Sequence, residues 1–150
     1  MKTLDIVWQR LVNSGGKTCN RCGMTYEALQ RAVAKLKDVL GPLGIAPMLE
    51  IKEITEKSFQ EDPSSSNRIW IAGRPLEEWL EARVGSSRCC SVCGDSNCRT
   101  VEIAGAVFES IPEDLILKAA LVAAAQMLTP KGGPLPVQSQ NDTTECCGDT

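Results

Sequence analysis

The stretch Thr18-Cys-Asn-Arg-Cys-Gly23 constrains this chain more than any other. Cys19 and Cys22 are two residues apart. They follow an apolar run, Leu4 to Val12, and a Ser-Gly-Gly loop, and they open a helical pattern from Met24 to Leu40. A strand, a Cys-x-x-Cys pair and a helix in that order form the arrangement of a thiol–disulfide exchange site. A helix N-terminus carries partial positive charge and unpaired amide donors, so it stabilises a thiolate. Arg21, between the two thiols, acts in the same sense. Cys-x-x-Cys-Gly also begins zinc-binding turns, so a metal knuckle is the competing reading.

The other cysteines widen both readings. The chain has eight cysteines and no histidine. Catalysis by Ser-His-Asp or Cys-His is therefore excluded, and any metal site must be built from thiolates or carboxylates. Cys89, Cys90, Cys93 and Cys98 crowd into a polar, Gly- and Ser-containing stretch, Gly85 to Arg99. This stretch reads as an inserted loop ordered by its own thiols through zinc or disulfides. Zinc is the one cofactor they suggest. Cys146 and Cys147 form a vicinal pair near the end of a segment from Thr129 rich in Pro, Gly, Ser, Gln and Thr. That composition reads as a disordered tail over 129–150. A mobile dithiol there could hand electrons or a soft ion such as arsenite or mercury to the inner thiols.

Composition limits the partners. The 150 residues suit one domain with a proper core. The net charge of -3 and pI near 5.1, with no basic cluster, argue against nucleic acid. The first residues lack the pattern of a signal peptide, since Asp5, Gln9 and Arg10 interrupt the apolar run. A cytoplasmic location is expected, where structural disulfides are rare and eight cysteines suggest redox or metal chemistry. No membrane association is expected either. The Ala- and Leu-rich last helix, read from a capping box at Ser110 to Glu113 through to Leu128, is too short and too polar in places to span a bilayer. It is either deeply buried or packs on a partner, a second copy included.

Between these landmarks the periodicities place the remaining elements. Leu4 to Val12 is nearly continuous in apolar residues and reads as a strand buried on both faces. Met24 to Leu40 carries a 3.6-residue apolar stripe and is stopped by Gly41, Pro42 and Gly44. Pro47 to Thr55 alternates, with Leu49 and Ile51 on one face and Glu50 and Lys52 on the other. Ile69-Trp-Ile71, a turn at Ala72-Gly73, and Pro75 to Leu80 read as a hairpin. Val101 to Phe108 reads as a second hairpin, turning at Ala104-Gly105.

The order strand, Cys-x-x-Cys, helix, strand, hairpin, helix resembles the thioredoxin fold. More closely, the sequence resembles a group of small prokaryotic thioredoxin-like domains of unassigned function. The features that carry this are Thr18 to Gly23, Asn67-Arg-Ile-Trp-Ile71 with Gly73 and Pro75 to Leu80, and Cys89-Cys-Ser-Val-Cys-Gly94, within roughly residues 4–128. The resemblance implies an α/β domain over 1–128 with Cys19 attacking and Cys22 resolving a disulfide on a protein or small molecule. Non-enzymatic binding of zinc or a soft ion is the alternative. Thioredoxins carry a cis-proline before the third strand and a Trp before the first Cys. Here Asn67 and Arg68, and Thr18, stand in those places. The resemblance would turn Arg68 towards the thiols as a fixed positive charge.

Overall fold

The computed structural model describes residues 1–12, 20–88 and 97–128. Its centre is a four-stranded mixed sheet. The first strand, β1 (Lys2–Leu11), leads to a long helix, α1 (Asn20–Leu40). The chain turns back through a short 3-10 segment, Gly41–Leu43, into β2 (Ile45–Ile54). Gly44 ends the turn at φ 75, in the left-handed region that glycine enters without steric cost. A short helix α2 (Glu56–Glu61), capped by the Thr55 hydroxyl accepting from Ser58 N at 3.2 Å, and a 3-10 turn at Pro63–Ser65 precede β3 (Arg68–Ile71) and β4 (Arg74–Pro75). The strand order is β2-β1-β3-β4. β2 runs parallel to β1 over its whole length, from Lys2 opposite Ile45 to Leu11 opposite Ile54. β3 and β4 are antiparallel to their neighbours.

Register explains which residues form the core. Leu4, Ile6 and Trp8 point to one face and are fully buried. On that face lie Ala28, Leu29, Ala32 and Leu36 of α1, and Ile116, Ala119, Ala120, Ala123 and Ala124 of the last helix, α4 (Glu113–Leu128). Ile69 and Ile71 of β3 complete it. The opposite face is only partly covered. Asp5, Val7, Gln9, Glu50, Lys52, Trp70 and Gly73 line a shallow open groove of about 500 Å³ there. The expectation that β1 is buried on both faces is therefore corrected: Val7 is half-buried and Asp5 exposed. The other face closes only at the strand's carboxyl end, where Leu11 is buried opposite Ile54.

Both hairpin turns fall where expected, with Ala72 and Gly73 at φ 51 and 79, and Ala104 and Gly105 at φ 51 and 83. The arm after the first turn differs. Only Arg74 and Pro75 pair with β3, and Leu76–Leu80 is a helix, α3. Pro75 fixes the entry, and Glu77 and Glu78 occupy the first turn, where carboxylates suit the helix dipole.

The second departure is larger. Of the expected loop, Gly85 to Arg99, both flanks are strand, and its middle, 89–96, lies outside the described residues. Arg83–Arg88 is a strand, β5, paired antiparallel with β6 (Asn97–Ile103), which continues through the turn into β7 (Ala106–Phe108). Polar residues with little β propensity form this ladder because their backbones pair, from Arg83 opposite Glu102 to Arg88 opposite Asn97. At Gly85 the strands approach so closely that a Cβ would meet Thr100 Oγ1 at 2.8 Å.

α4 packs its small-residue face on α1 and keeps an outer face with Leu121, Val122 and Leu128 exposed. Its start is tied down by ions rather than by a capping box: Glu113 pairs with Arg31 at 3.1 Å and with Lys35. These partners hold the Glu113 carboxyl below its usual range, chiefly through the Lys35 hydrogen bond and then that of Arg31. A carboxylate with a depressed folded pKa adds stability that is complete above its unfolded value and is lost as pH falls through the folded value. Acid titration of the melting temperature should therefore show a steeper loss below the ordinary glutamate range in the native chain than in Glu113→Gln. Superimposable acid limbs would show that the two pairs contribute nothing.

No helix among the described residues is long and apolar enough to cross a membrane. The expected tail, 129–150, lies outside the described residues.

Candidate functional site

α1 starts at Asn20, so Cys22 sits in its first turn and Cys19 immediately precedes it. Cys22 is buried, about 1% exposed, as part of the core cluster that includes Trp8 and Leu29. Cys19 itself lies outside the described residues. One turn on, Thr25 is fully buried and its hydroxyl accepts the Ile111 N–H at 3.0 Å. The segment between β7 and α4 is thereby fastened to the helix start.

Arg21 connects this start to the end of β5 and to Glu109. Its Nη1 donates to the Ser87 carbonyl at 3.4 Å and its Nη2 to Glu109 Oε1 at 3.2 Å. Ser87 Oγ donates to the same carboxylate oxygen at 3.2 Å. Ser87 lies near the end of β5, directly opposite Cys98 in register. Residues 89–96, with Cys89, Cys90 and Cys93, join β5 to β6 and lie outside the described residues. The base of that hairpin is thus held against the first turn of α1. The arginine between the first two cysteines makes the contact.

A buried ion pair secures the other side of the hairpin. Cys98 and Arg99 are both buried, at 3% and 5% exposure. Arg99 Nε donates to Glu77 Oε1 at 3.1 Å, Nη2 reaches the same oxygen, and Nη1 donates to the Ser64 carbonyl at 3.0 Å. Glu77, on α3, is itself only 6% exposed. Two desolvated charges are tolerated because they satisfy each other and because a backbone carbonyl takes a further donor. β6 is therefore locked to α3 and to the turn before β3 at the residue next to Cys98.

Asn67 is the residue that sequence reasoning named only as part of a motif. It stands just before β3 at φ 55, is 4% exposed, and accepts the Trp8 Nε1–H at 3.0 Å. Its amide also donates to the Glu109 carbonyl at 3.5 Å. Asparagine tolerates the left-handed conformation better than most residues, and here its side chain gives a buried indole its partner. Trp8 in turn stacks on Tyr26 of α1, ring centroids 5.5 Å apart and nearly parallel. No cis peptide occurs among the described residues.

Arg68 does not follow the expectation drawn from the resemblance. It pairs in register with Gln9 and lies with its guanidinium 4.7 Å from the Trp70 ring centroid. Gln9 and Trp70 line the open face of the sheet. Cys22 belongs to the core on the opposite face, so Arg68 stacks on Trp70 away from it. Among the described residues no three metal-ligating side chains gather. The zinc expectation rests on Cys89, Cys90 and Cys93 together with Cys98. The first three of these, like Cys146 and Cys147, lie outside the described residues.

A family model described as "Domain of unknown function (DUF2703)" matches residues 4–120. The chain belongs to this family. The DUF2703 match runs from β1 into α4 and spans Cys19, Cys22 and all four cysteines of the β5–β6 hairpin. It stops before Cys146 and Cys147. The chain is also similar to a protein of Archaeoglobus fulgidus named "Uncharacterized protein", 44% identical over 113 residues, which are 75% of this chain and 82% of that one. No solved structure matches.

Proposed function

We propose that this DUF2703 protein is a thioredoxin-like thiol-redox protein in which Cys19 and Cys22 exchange with a disulfide and the β5–β6 cysteines form a second thiol group beside them. The reading rests on one observation. Arg21, inside the Cys-x-x-Cys, binds the strand that leads into the second group. The sheet supports the thioredoxin-like part: a parallel β1-α1-β2 unit, a β3-β4 hairpin antiparallel to it, and the cysteine pair at the start of α1. Such thiols suit a reducing compartment, so a cytoplasmic location accompanies the reading.

The burial of Cys22 and the place of Cys19 in the sequence suggest the roles. Cys22, enclosed in the core, suits the resolving thiol, and Cys19, just ahead of the helix, suits the attacking one. The Cys19 thiolate attacks one sulfur of the substrate disulfide and forms a mixed disulfide, releasing the other substrate sulfur as a thiolate that takes up a proton. Cys22, losing its proton, then attacks the Cys19 sulfur. The second substrate thiol leaves, and a Cys19–Cys22 disulfide remains. Two electrons have passed to the substrate. A dithiol among Cys89, Cys90, Cys93 and Cys98 would return them, becoming oxidised in its place.

The test uses the full, reduced chain and a small aromatic disulfide probe. Cys19→Ser should slow the first thiol release about tenfold or more. Cys22→Ser should leave a lasting mixed disulfide that peptide mapping locates on Cys19. An apparent Cys19 pKa at or above ~8.5, the free-thiol value, would end the exchange reading. The absence of histidine and the crowded thiolates favour a second reading, a binder of zinc or a soft ion. Protein purified without oxygen would then contain stoichiometric metal, with its cysteines shielded from alkylation until a chelator is added.

A further inference from the structure

We propose that β2 pairs with β2 of a second copy, antiparallel and centred on Ile51, joining two sheets into one. β2 is an edge strand ten residues long, bonded among the described residues only to β1. Long open edges are normally blunted or paired. This one also leaves Met48 and Ile51 exposed, at 57% and 37%.

The direction of its backbone groups is set. Val12 N donates to Ile54 O at 3.4 Å and Lys2 N to Gly44 O at 2.8 Å, so the even-numbered residues face β1. The outward groups belong to Ile45, Pro47, Leu49, Ile51 and Glu53. Pro47 has no N–H to offer, and it occupies the side of an edge strand where none is needed.

A two-fold axis perpendicular to the sheet keeps each face continuous, so only registers centred on a residue are allowed. Centred on Ile51, Ile51 exchanges a pair of backbone bonds with the partner's Ile51, and Leu49 with the partner's Glu53. Pro47 falls outside the paired segment. On the open face Glu50 lies opposite the partner's Lys52, and Lys52 opposite the partner's Glu50. Met48 covers the partner's Ile54. Moving the centre to Glu50 or to Lys52 sets like charges against each other across the axis. Moving it to Leu49 avoids that but places Pro47 in the ladder opposite the partner's Ile51, where a bond is lost. The charges, the exposed Met48 and the proline thus select one register, and the occupant is a second copy of the chain.

The full chain, kept reduced so that no intermolecular disulfide forms, should sediment as a dimer at low salt. Glu50→Lys and Lys52→Glu should each raise the dissociation constant about tenfold or more, since each turns two attractive pairs into repulsive ones. The double variant Glu50→Lys/Lys52→Glu restores opposite charges and should recover the dimer. Both residues are exposed, and circular dichroism checks that the variants fold. A monomeric full chain overturns the proposal. So does a dimer that ignores the single reversals, or singles that the double does not rescue. A dimer broken instead by polar substitution of Leu121 and Val122 would assign the contact to the outer face of α4 and overturn it as well.

Discussion

Replacing Arg99 by methionine is expected to destabilise the fold by about 3–5 kcal/mol, the usual cost of leaving one partner of a buried pair unpaired. The reason is Glu77. With Arg99 gone, a carboxylate 6% exposed on α3 has no cation, and the Ser64 carbonyl loses a donor. For a chain of this size the melting temperature should fall by roughly 10 °C. The double change Arg99→Met with Glu77→Leu removes both charges and should recover much of the loss, because apolar pairs of similar volume replace buried ion pairs at little cost. A single variant that melts within a degree or two of the parent would mean that the pair is solvated in solution. The double variant also separates stability from position. If it folds normally yet its Cys98 reacts differently with an alkylating probe, the ion pair sets where that thiol stands.

Trp8→Ala should cost about as much, about 3–5 kcal/mol, for a different reason. Trp8 is fully buried at the centre of the sheet and lies against Tyr26, so its removal opens a cavity between β1 and α1. It also takes the indole donor from buried Asn67. Trp8→Phe divides the two effects. It keeps an aromatic ring against Tyr26 and loses the hydrogen bond, so a smaller loss, about 1–3 kcal/mol, is expected. Chemical denaturation of the three proteins measures the series. Equal losses in Phe and Ala variants would show that the Asn67 bond, rather than packing, carries the whole contribution.

The sheet and its long helix were legible because their signals are periodic. The alternation of Leu49 and Ile51 against Glu50 and Lys52 corresponds to register, although Ile51 is exposed, and the middle of the α1 stripe, from Ala28 to Leu36, corresponds to burial. β1 misled because Val7 and Trp8 are both apolar, yet they lie on different faces and only Trp8 meets the helices. Leu76–Leu80 was missed as a helix although Pro75 before it and Glu77 and Glu78 in its first turn are start signals. Five residues hold too little period to outweigh a preceding hairpin turn. Gly85 to Arg88 has no apolar alternation at all, and its strand exists because the backbone of β6 lies opposite. The cysteines of the candidate site were plain in the sequence. The groups that position them were not, since Arg99, Glu77 and Asn67 are polar residues whose burial depends on partners 22 to 59 positions away. Arg21 was visible as a neighbour of two thiols, but its reach to Ser87 and Glu109 is a property of the fold alone.

Lys2 Nζ donates to the Met127 carbonyl at 2.8 Å, so the start of β1 and the end of α4 are neighbours. This closeness makes the fold a candidate for circular permutation. A brief glycine–serine bridge in place of residues 129–150 would link Leu128 to Met1. New termini opened at the Ala104-Gly105 turn would leave the β2-β1-β3-β4 sheet, α1 and the β5–β6 ladder uncut. In such a permutant the α4 helix would be synthesised before α1, on which it packs, reversing the natural order in which the two helices leave the ribosome.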